Sequence, residues 1–192
     1  MSVAESFDQF LAQQGCTADP SQRTAAQRLD ALAQSLRERR TSDKKRSLIS
    51  RWISGNRAVS VRGVYLWGGV GRGKTALVDL LAREMEGRVR RLHFHRFMHE
   101  VHGMLRSLRT QHRADPVAEV AASFAKDIDL LCFDELYVHD IADAMILGGI
   151  FEGLVAAGVS LVFTSNVPPS GLYRDGLQRS RFLPTIALLE RV

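Results

Sequence analysis

The chain has 192 residues, 45% hydrophobic and 24% charged, with a formal net charge of +5. That is length for one domain with a real core plus a short extension, of ordinary soluble composition. No apolar run reaches the roughly 18 residues that span a bilayer. Met1 to Phe10 carries Glu5 and Asp8 without a basic residue, which excludes a secretory signal and an Arg-rich transit peptide and points to the cytoplasm. The basic balance permits contact with nucleic acid or anionic lipid but does not require it.

The first 50 residues are polar and helical in pattern. Asp19-Pro20-Ser21-Gln22 reads as a helix start, with Asp19 as N-cap, Pro20 in the first turn and Gln22 closing a capping box. Leu29, Leu32 and Leu36 then form one apolar stripe. Arg37 to Arg46 is a charge run between two helical pieces, read as a solvated linker, with a phosphate-binding patch as the alternative. Residues 1–55 are therefore taken as a helical extension with a basic linker.

From Val61 the pattern changes. Val61 to Trp67 reads as a buried strand and Lys74 to Met85 as a helix stopped by Gly87. Between them stands Gly68-Gly69-Val70-Gly71-Arg72-Gly73-Lys74-Thr75, which fits the phosphate-binding loop G-x-x-x-x-G-K-[ST]. Strand, glycine loop and helix together aim backbone N–H groups and a helix N-terminus at a polyphosphate. Lys74 is expected on the β- and γ-phosphates of ATP and Thr75 on Mg²⁺.

Arg88 to Phe94 reads as a second strand, His95 to Leu108 as a helix, and Asp115-Pro116 as the start of a short third helix. Of the histidines here, His95 and His99 are one helical turn apart and could share a metal, but His99-Glu100-Val101-His102 is one residue short of H-E-x-x-H. Imidazoles that pack or cap are the preferred account.

Ile128 to Phe133 is a nearly unbroken apolar run, as in a strand buried on both faces, with Cys132 as a small buried hydrophobe. It ends in Asp134-Glu135, a Walker B pattern. Asp134 would hold Mg²⁺ directly or through water, and Glu135 would polarise the attacking water, which favours hydrolysis over phosphoryl transfer to a hydroxyl. Asp140 caps a long helix ending at Gly158, and Val159 to Phe163 is a fourth strand. Asn166, at its polar tip, suits a contact to the γ-phosphate or the lytic water, or a turn before Pro168-Pro169. Arg174, Arg179 and Arg181 follow. Arg181, then Arg179, is favoured as an arginine supplied to a neighbouring subunit's γ-phosphate. Strands alternating with helices imply an α/β layer fold with a mainly parallel sheet.

The order of these motifs resembles an AAA+ ATPase. The strings GVYLWGGVGRGKT, HFHRFMHEVH, DLLCFDEL, DIADAMIL and TSNVPPSGLYRDGLQRSRFLP are similar to the ZapE/Afg1-like cell-division ATPase family. The resemblance covers most of residues 19 to 190. It implies a P-loop ATPase, homo-oligomeric when full-length. Bacterial members are linked to the division ring protein FtsZ, and mitochondrial relatives to handling of respiratory-chain proteins. It also suggests that Gln22 borders the adenine, as an alternative to closing its cap. In the same way the likeness to AAA+ proteins suggests that Phe94, Arg96, Phe97 and Met98 belong to an aromatic loop gripping a polypeptide, with Phe97 and Met98 facing the core as the alternative. Residues 56–192 would then be an AAA+ nucleotide-binding domain lacking the fifth strand and helical lid. In the expected strand order 5-1-4-3-2, Val61 to Trp67 is left at an edge, and weak nucleotide binding and poor hydrolysis are anticipated for this piece. A helicase-loader-type DNA-associated ATPase is the second reading, kept open by Arg37 to Arg46 and by Arg88, Arg90 and Arg91. A small-molecule kinase is the third, without a signature.

Overall fold

The apolar runs of the second half sort onto a four-stranded parallel sheet of order β1-β4-β3-β2, formed by β1 (Val64–Trp67), β2 (Val89–His93), β3 (Leu130–Asp134) and β4 (Ser160–Ser165). A computed structural model describes residues 1–47, 61–85 and 87–192, with the backbone alone for 43–47. Seven helices surround the sheet among the described residues: α1 (Val3–Ala12), α2 (Pro20–Ser47), α3 (Lys74–Glu84), α4 (Phe94–Thr110), α5 (Pro116–Ala125), α6 (Ile141–Ala156) and α7 (Leu183–Arg191). The domain boundary expected at 55/56 falls outside the described residues.

Every residue of β3 and β4 is buried, and side-chain alternation explains why both read as continuous apolar runs. Leu131, Phe133, Leu161 and Phe163 face α4, α5, α6 and α7, whereas Leu130, Cys132 and Val162 face α1, α2 and α3. On the first face, Phe133 stacks on Phe163 with centroids 5.1 Å apart, and Phe97 and Phe151 meet them edge-on at 4.7 and 5.2 Å. Burial pushes the Cys132 thiol up to about 12. No fifth strand stands beside β1 among the described residues, so β1 forms one margin of the sheet.

Two sequence expectations are corrected here. The charge run from Arg37 is not a linker between two helical pieces. It continues α2, whose 28 residues are unbroken. Three of its arginines are paired, two of them with a buried carboxylate. Arg37 donates to Glu84, and Arg39 and Arg40 donate to the buried Asp129 at 3.1 and 2.5 Å, with Arg88 on the same carboxylate at 3.2 Å. Arg39 also donates to the Gly158 carbonyl and Arg40 to that of Met85. Phe94, Phe97 and Met98, proposed for an aromatic gripping loop, are instead 4%, 0% and 3% exposed and fill the core. They recur at helical spacing with Val101 and Leu105 on the inner face of α4.

Candidate functional site

The phosphate-binding loop sits between β1 and α3, in the tight turn that its glycines permit. Gly68, Gly71 and Gly73 have φ of 143°, 79° and 76°, and Gly73 is the left-handed N-cap of α3. The close approach of α1 adds a second reason for glycine at 73, since a Cβ there would lie 3.1 Å from the Phe7 ring. Gly68 N–H donates to the Ser165 carbonyl at 3.2 Å, which fixes the loop to the tip of β4. Val70 is 87% exposed at the loop's crest.

Lys74 turns back into the loop. Its Nζ donates to the carbonyls of Gly68 and Gly69 at 2.7 and 2.8 Å and to Asn166 Oδ1 at 3.3 Å. Desolvation lowers its pKa, and the charge of Glu135 opposes that shift. The two carboxylate-bearing positions have different surroundings. Glu135 is exposed, at φ 56°, an uncommon conformation for a residue with a Cβ. It is held there because its N–H donates to Thr164 Oγ1 at 3.0 Å and the next residue, Leu136, donates to the Thr164 carbonyl at 2.7 Å. Ser165 Oγ in turn donates to the Leu136 carbonyl. The end of β3 is thus buttoned to the end of β4, and Glu135 and Asn166 face one cleft.

That cleft, about 380 Å³, is lined from Val70 to Ala76 on one side and by Glu135, Thr164, Ser165 and Asn166 on the other. It therefore collects Val70, Gly71, Arg72, Gly73, Lys74, Thr75, Glu135, Asn166 and Gln22 of the expected site. Gly68 and Gly69 line the adjoining cleft beside β1 and α2. Asp134 is 5% exposed and does not line the cleft; both its oxygens accept from Arg91, at 2.6 and 3.1 Å. Arg91 also donates to Asp79 on α3. Thr75 hydroxyl and Asp134 carboxylate are hard oxygen donors of the kind Mg²⁺ uses beside water and phosphate, and each Asp134 oxygen keeps a further lone pair, so the donor set fits that ion.

Gln22 has two contacts. Its Oε1 accepts from Asp19 N–H at 2.9 Å while its own N–H donates to Asp19 Oδ1 at 2.8 Å, a complete capping box. Its Nε2 also donates to the Arg72 carbonyl in the loop at 3.3 Å. Two of the three arginines of the C-terminal cluster lie in a 3₁₀ turn, Arg179–Arg181. Arg179 is tied down by a bond to the Ser170 carbonyl. Arg181 is exposed, and its side chain has no hydrogen bond or ion pair among the described residues.

Sequence reasoning missed Arg91 as the partner of Asp134, Thr164 as the clasp of Glu135, and Phe7 against Gly73. Pairing of β2 with β3, Arg91 beside Cys132 and His93 beside Asp134, is what delivers Arg91. The histidines expected to pack or cap do neither: His93, His95 and His99 are exposed, His93 makes no side-chain bond as N-cap of α4, and His102 Nε2 instead meets Asp143 at 2.6 Å. Among the described residues no group of three or more His, Cys, Asp or Glu side chains is arranged to hold a metal, and no helix is long and apolar enough to cross a membrane.

Over 132 residues the chain is 54% identical to the cell division protein ZapE of Escherichia coli strain K12, covering 68% of this chain and 35% of that protein. It is 45% identical over 139 residues to lactation elevated protein 1 homolog B of Danio rerio, covering 67% and 28%. The chain thus spans about a third of the length of these curated relatives. Among solved structures, the crystal structure of DnaI superposes with a TM-score of 0.53 at 17% identity, covering 90% of this chain and 80% of that one. The replication initiator DnaA bound to AMPPCP and single-stranded DNA gives 0.50 at 20% identity, covering 70% and 40%. These likenesses show the fold, an α/β layer structure built on a parallel sheet. A family profile described as AFG1-like ATPase matches residues 1–192, and with the identity to the bacterial relative it shows that this chain belongs to the AFG1-like ATPase family.

Proposed function

We propose that this chain binds ATP with Mg²⁺ and hydrolyses it to ADP and phosphate to remodel a protein partner. The observation that carries the reading is the convergence on one cleft of a lysine, a carboxylate and an amide from three elements. Lys74 reaches Asn166, and Glu135 lies close enough to shift the lysine's proton affinity.

In this proposal the loop N–H groups from Gly68 to Thr75 cradle the phosphates. Lys74 exchanges its bonds to Gly68, Gly69 and Asn166 for phosphate oxygens. Thr75 and Asp134 hold Mg²⁺, which when bound neutralises charge on the phosphates. Arg91 keeps the Asp134 carboxylate oriented. Glu135, locked by Thr164, accepts a proton from the attacking water, and Asn166 orients that water or the γ-phosphate. Arg181, free and exposed, is the better candidate to reach a neighbouring copy; Arg179 is the second. Gln22 stabilises the loop through Arg72 and borders the nucleoside. Because Lys74 and Asp134 are engaged by internal partners and β1 lies at a margin of the sheet, we propose slow turnover for the 192-residue chain alone.

The name of the Escherichia coli relative supports a role in cell division, with FtsZ as the client that the family resemblance implies, in the cytoplasm and in a homo-oligomer. The nucleic-acid alternative loses support. Arg37, Arg39, Arg40, Arg88, Arg90 and Arg91 are all paired with carboxylates of the chain itself, while the side chains of Lys44, Lys45 and Arg46 lie outside the described residues. Mass measurement in solution tests the proposal. ATP should drive assembly that Glu135→Gln traps and Lys74→Ala abolishes; assembly indifferent to nucleotide and to both substitutions would count against it.

A further inference from the structure

A second concave surface is lined by residues that the proposed chemistry does not use. It is a groove of about 690 Å³ between α4 and α6. Leu105, Ala142, Met145 and Ile146 supply its apolar lining, and Arg106 and Arg109 stand among them. His102, at the end of the groove, also lines the cavity that reaches Glu135 and Asn166.

The charge on this surface is not internally balanced. Arg106 and Arg109 are three residues apart, hence on one side of α4. Both are exposed, and neither guanidinium has a hydrogen bond or ion pair among the described residues. The carboxylates nearby are already taken. Glu100 accepts from Arg90 and Arg96, Glu119 from Arg113, and Asp143 pairs with His102. Two unpaired cations beside an apolar trough make a surface complementary to an amphipathic segment carrying carboxylates.

Dimensions narrow the partner. From His102 to Thr110 the α4 wall runs about 12 Å at 1.5 Å per residue, room for two turns of a second helix. Nucleic acid fits less well. The ring in the lining is the His102 imidazole, held by Asp143, and two cations track little of a phosphate backbone.

We propose that the α4–α6 groove docks an acidic amphipathic helix of a protein partner. Its apolar side chains would sit on Ala142, Met145 and Ile146, above the buried Leu105, and its carboxylates on Arg106 and Arg109. The groove shares no lining residue with the cleft of Lys74 and Thr75, so the proposal stands whether or not the ATPase proposal holds.

Fluorescence anisotropy on the 192-residue chain tests it. The probes are a labelled synthetic helix of about 14 residues with leucine on one face and glutamate on the other, its lysine counterpart, and a labelled single-stranded oligonucleotide. The glutamate peptide should bind, weaken with salt, and lose about ten-fold or more in affinity to Arg106→Glu/Arg109→Glu. The lysine peptide should not bind. Should the double charge reversal fail to fold by circular dichroism, Arg106→Gln/Arg109→Gln should show a smaller loss in the same direction. Absence of glutamate-peptide binding, or equal binding to the arginine variants, overturns the proposal. So does an oligonucleotide that binds the parent chain and is lost with the same substitutions, which would assign the groove to nucleic acid.

Discussion

Replacing Asp129 by alanine removes the carboxylate on which α2 is anchored. The Asp129 side chain is 11% exposed, and it accepts from Arg39 and Arg40, themselves 15% and 24% exposed, and from Arg88 at 52%. Taking one partner from a buried pair costs about 3–5 kcal/mol, because the charge left behind stays desolvated. Arg88 adds little, being half in water. Arg39 and Arg40 keep carbonyl acceptors at Gly158 and Met85, which favours the low end, about 3 kcal/mol. With a urea slope of about 2 kcal/mol per molar, the unfolding midpoint should fall by about 1.5 M. Asp129→Asn keeps the shape and one carbonyl oxygen and should lose about half as much. Urea denaturation followed by circular dichroism reads both. A loss below about 1 kcal/mol in both variants would refute the reasoning, since it would mean that these arginines find equivalent partners in water.

Other outcomes follow from the same contacts. Phe97→Ala should cost about 3–5 kcal/mol in the same assay, because the ring is fully buried against Phe124 and Phe133. Thiol labelling at pH 8 should find one reactive group, the exposed Cys16, and two only after denaturation. Cys132 is buried and stays protonated well above that pH, its value being pushed up to about 12. Arg181→Ala should slow ATP turnover without lowering the unfolding midpoint, whereas Arg179→Ala should lower the midpoint as well, since Arg179 bonds the Ser170 carbonyl. A parallel loss of stability in both variants would put Arg181 among the structural arginines.

The parts of the molecule that are local in sequence were the legible ones. The glycine spacing from Gly68 to Thr75 announces the loop, and Asp19 with Gln22 announces a cap that forms as expected. Ile128 to Phe133 reads as a strand buried on both faces because β3 has helices on each side. What depends on distant partners was hidden. The charge run of α2 looks solvated until Asp129, some 90 residues on, is brought beneath it. Arg91 is indistinguishable from its neighbours Arg88 and Arg90 until the β2–β3 register sets it against Asp134. Phe94, Phe97 and Met98 are a different case. Their spacing with Val101 and Leu105 marks a core face, and of the two readings open for Phe97 and Met98 it is the core one that holds. Trp67 shows the reverse error. It reads as the end of a buried strand but is 59% exposed beside the loop, because β1 lies at the margin of the sheet.

The central claim, that Lys74 holds the nucleotide and Glu135 cleaves it, is tested most directly by ATP binding and single-turnover phosphate release on one set of proteins. The parent chain should bind ATP in the presence of Mg²⁺ and release phosphate slowly. Glu135→Gln should bind as well as the parent and release none, and Lys74→Ala should not bind. Undiminished binding by Lys74→Ala, or parental phosphate release by Glu135→Gln, would contradict the account.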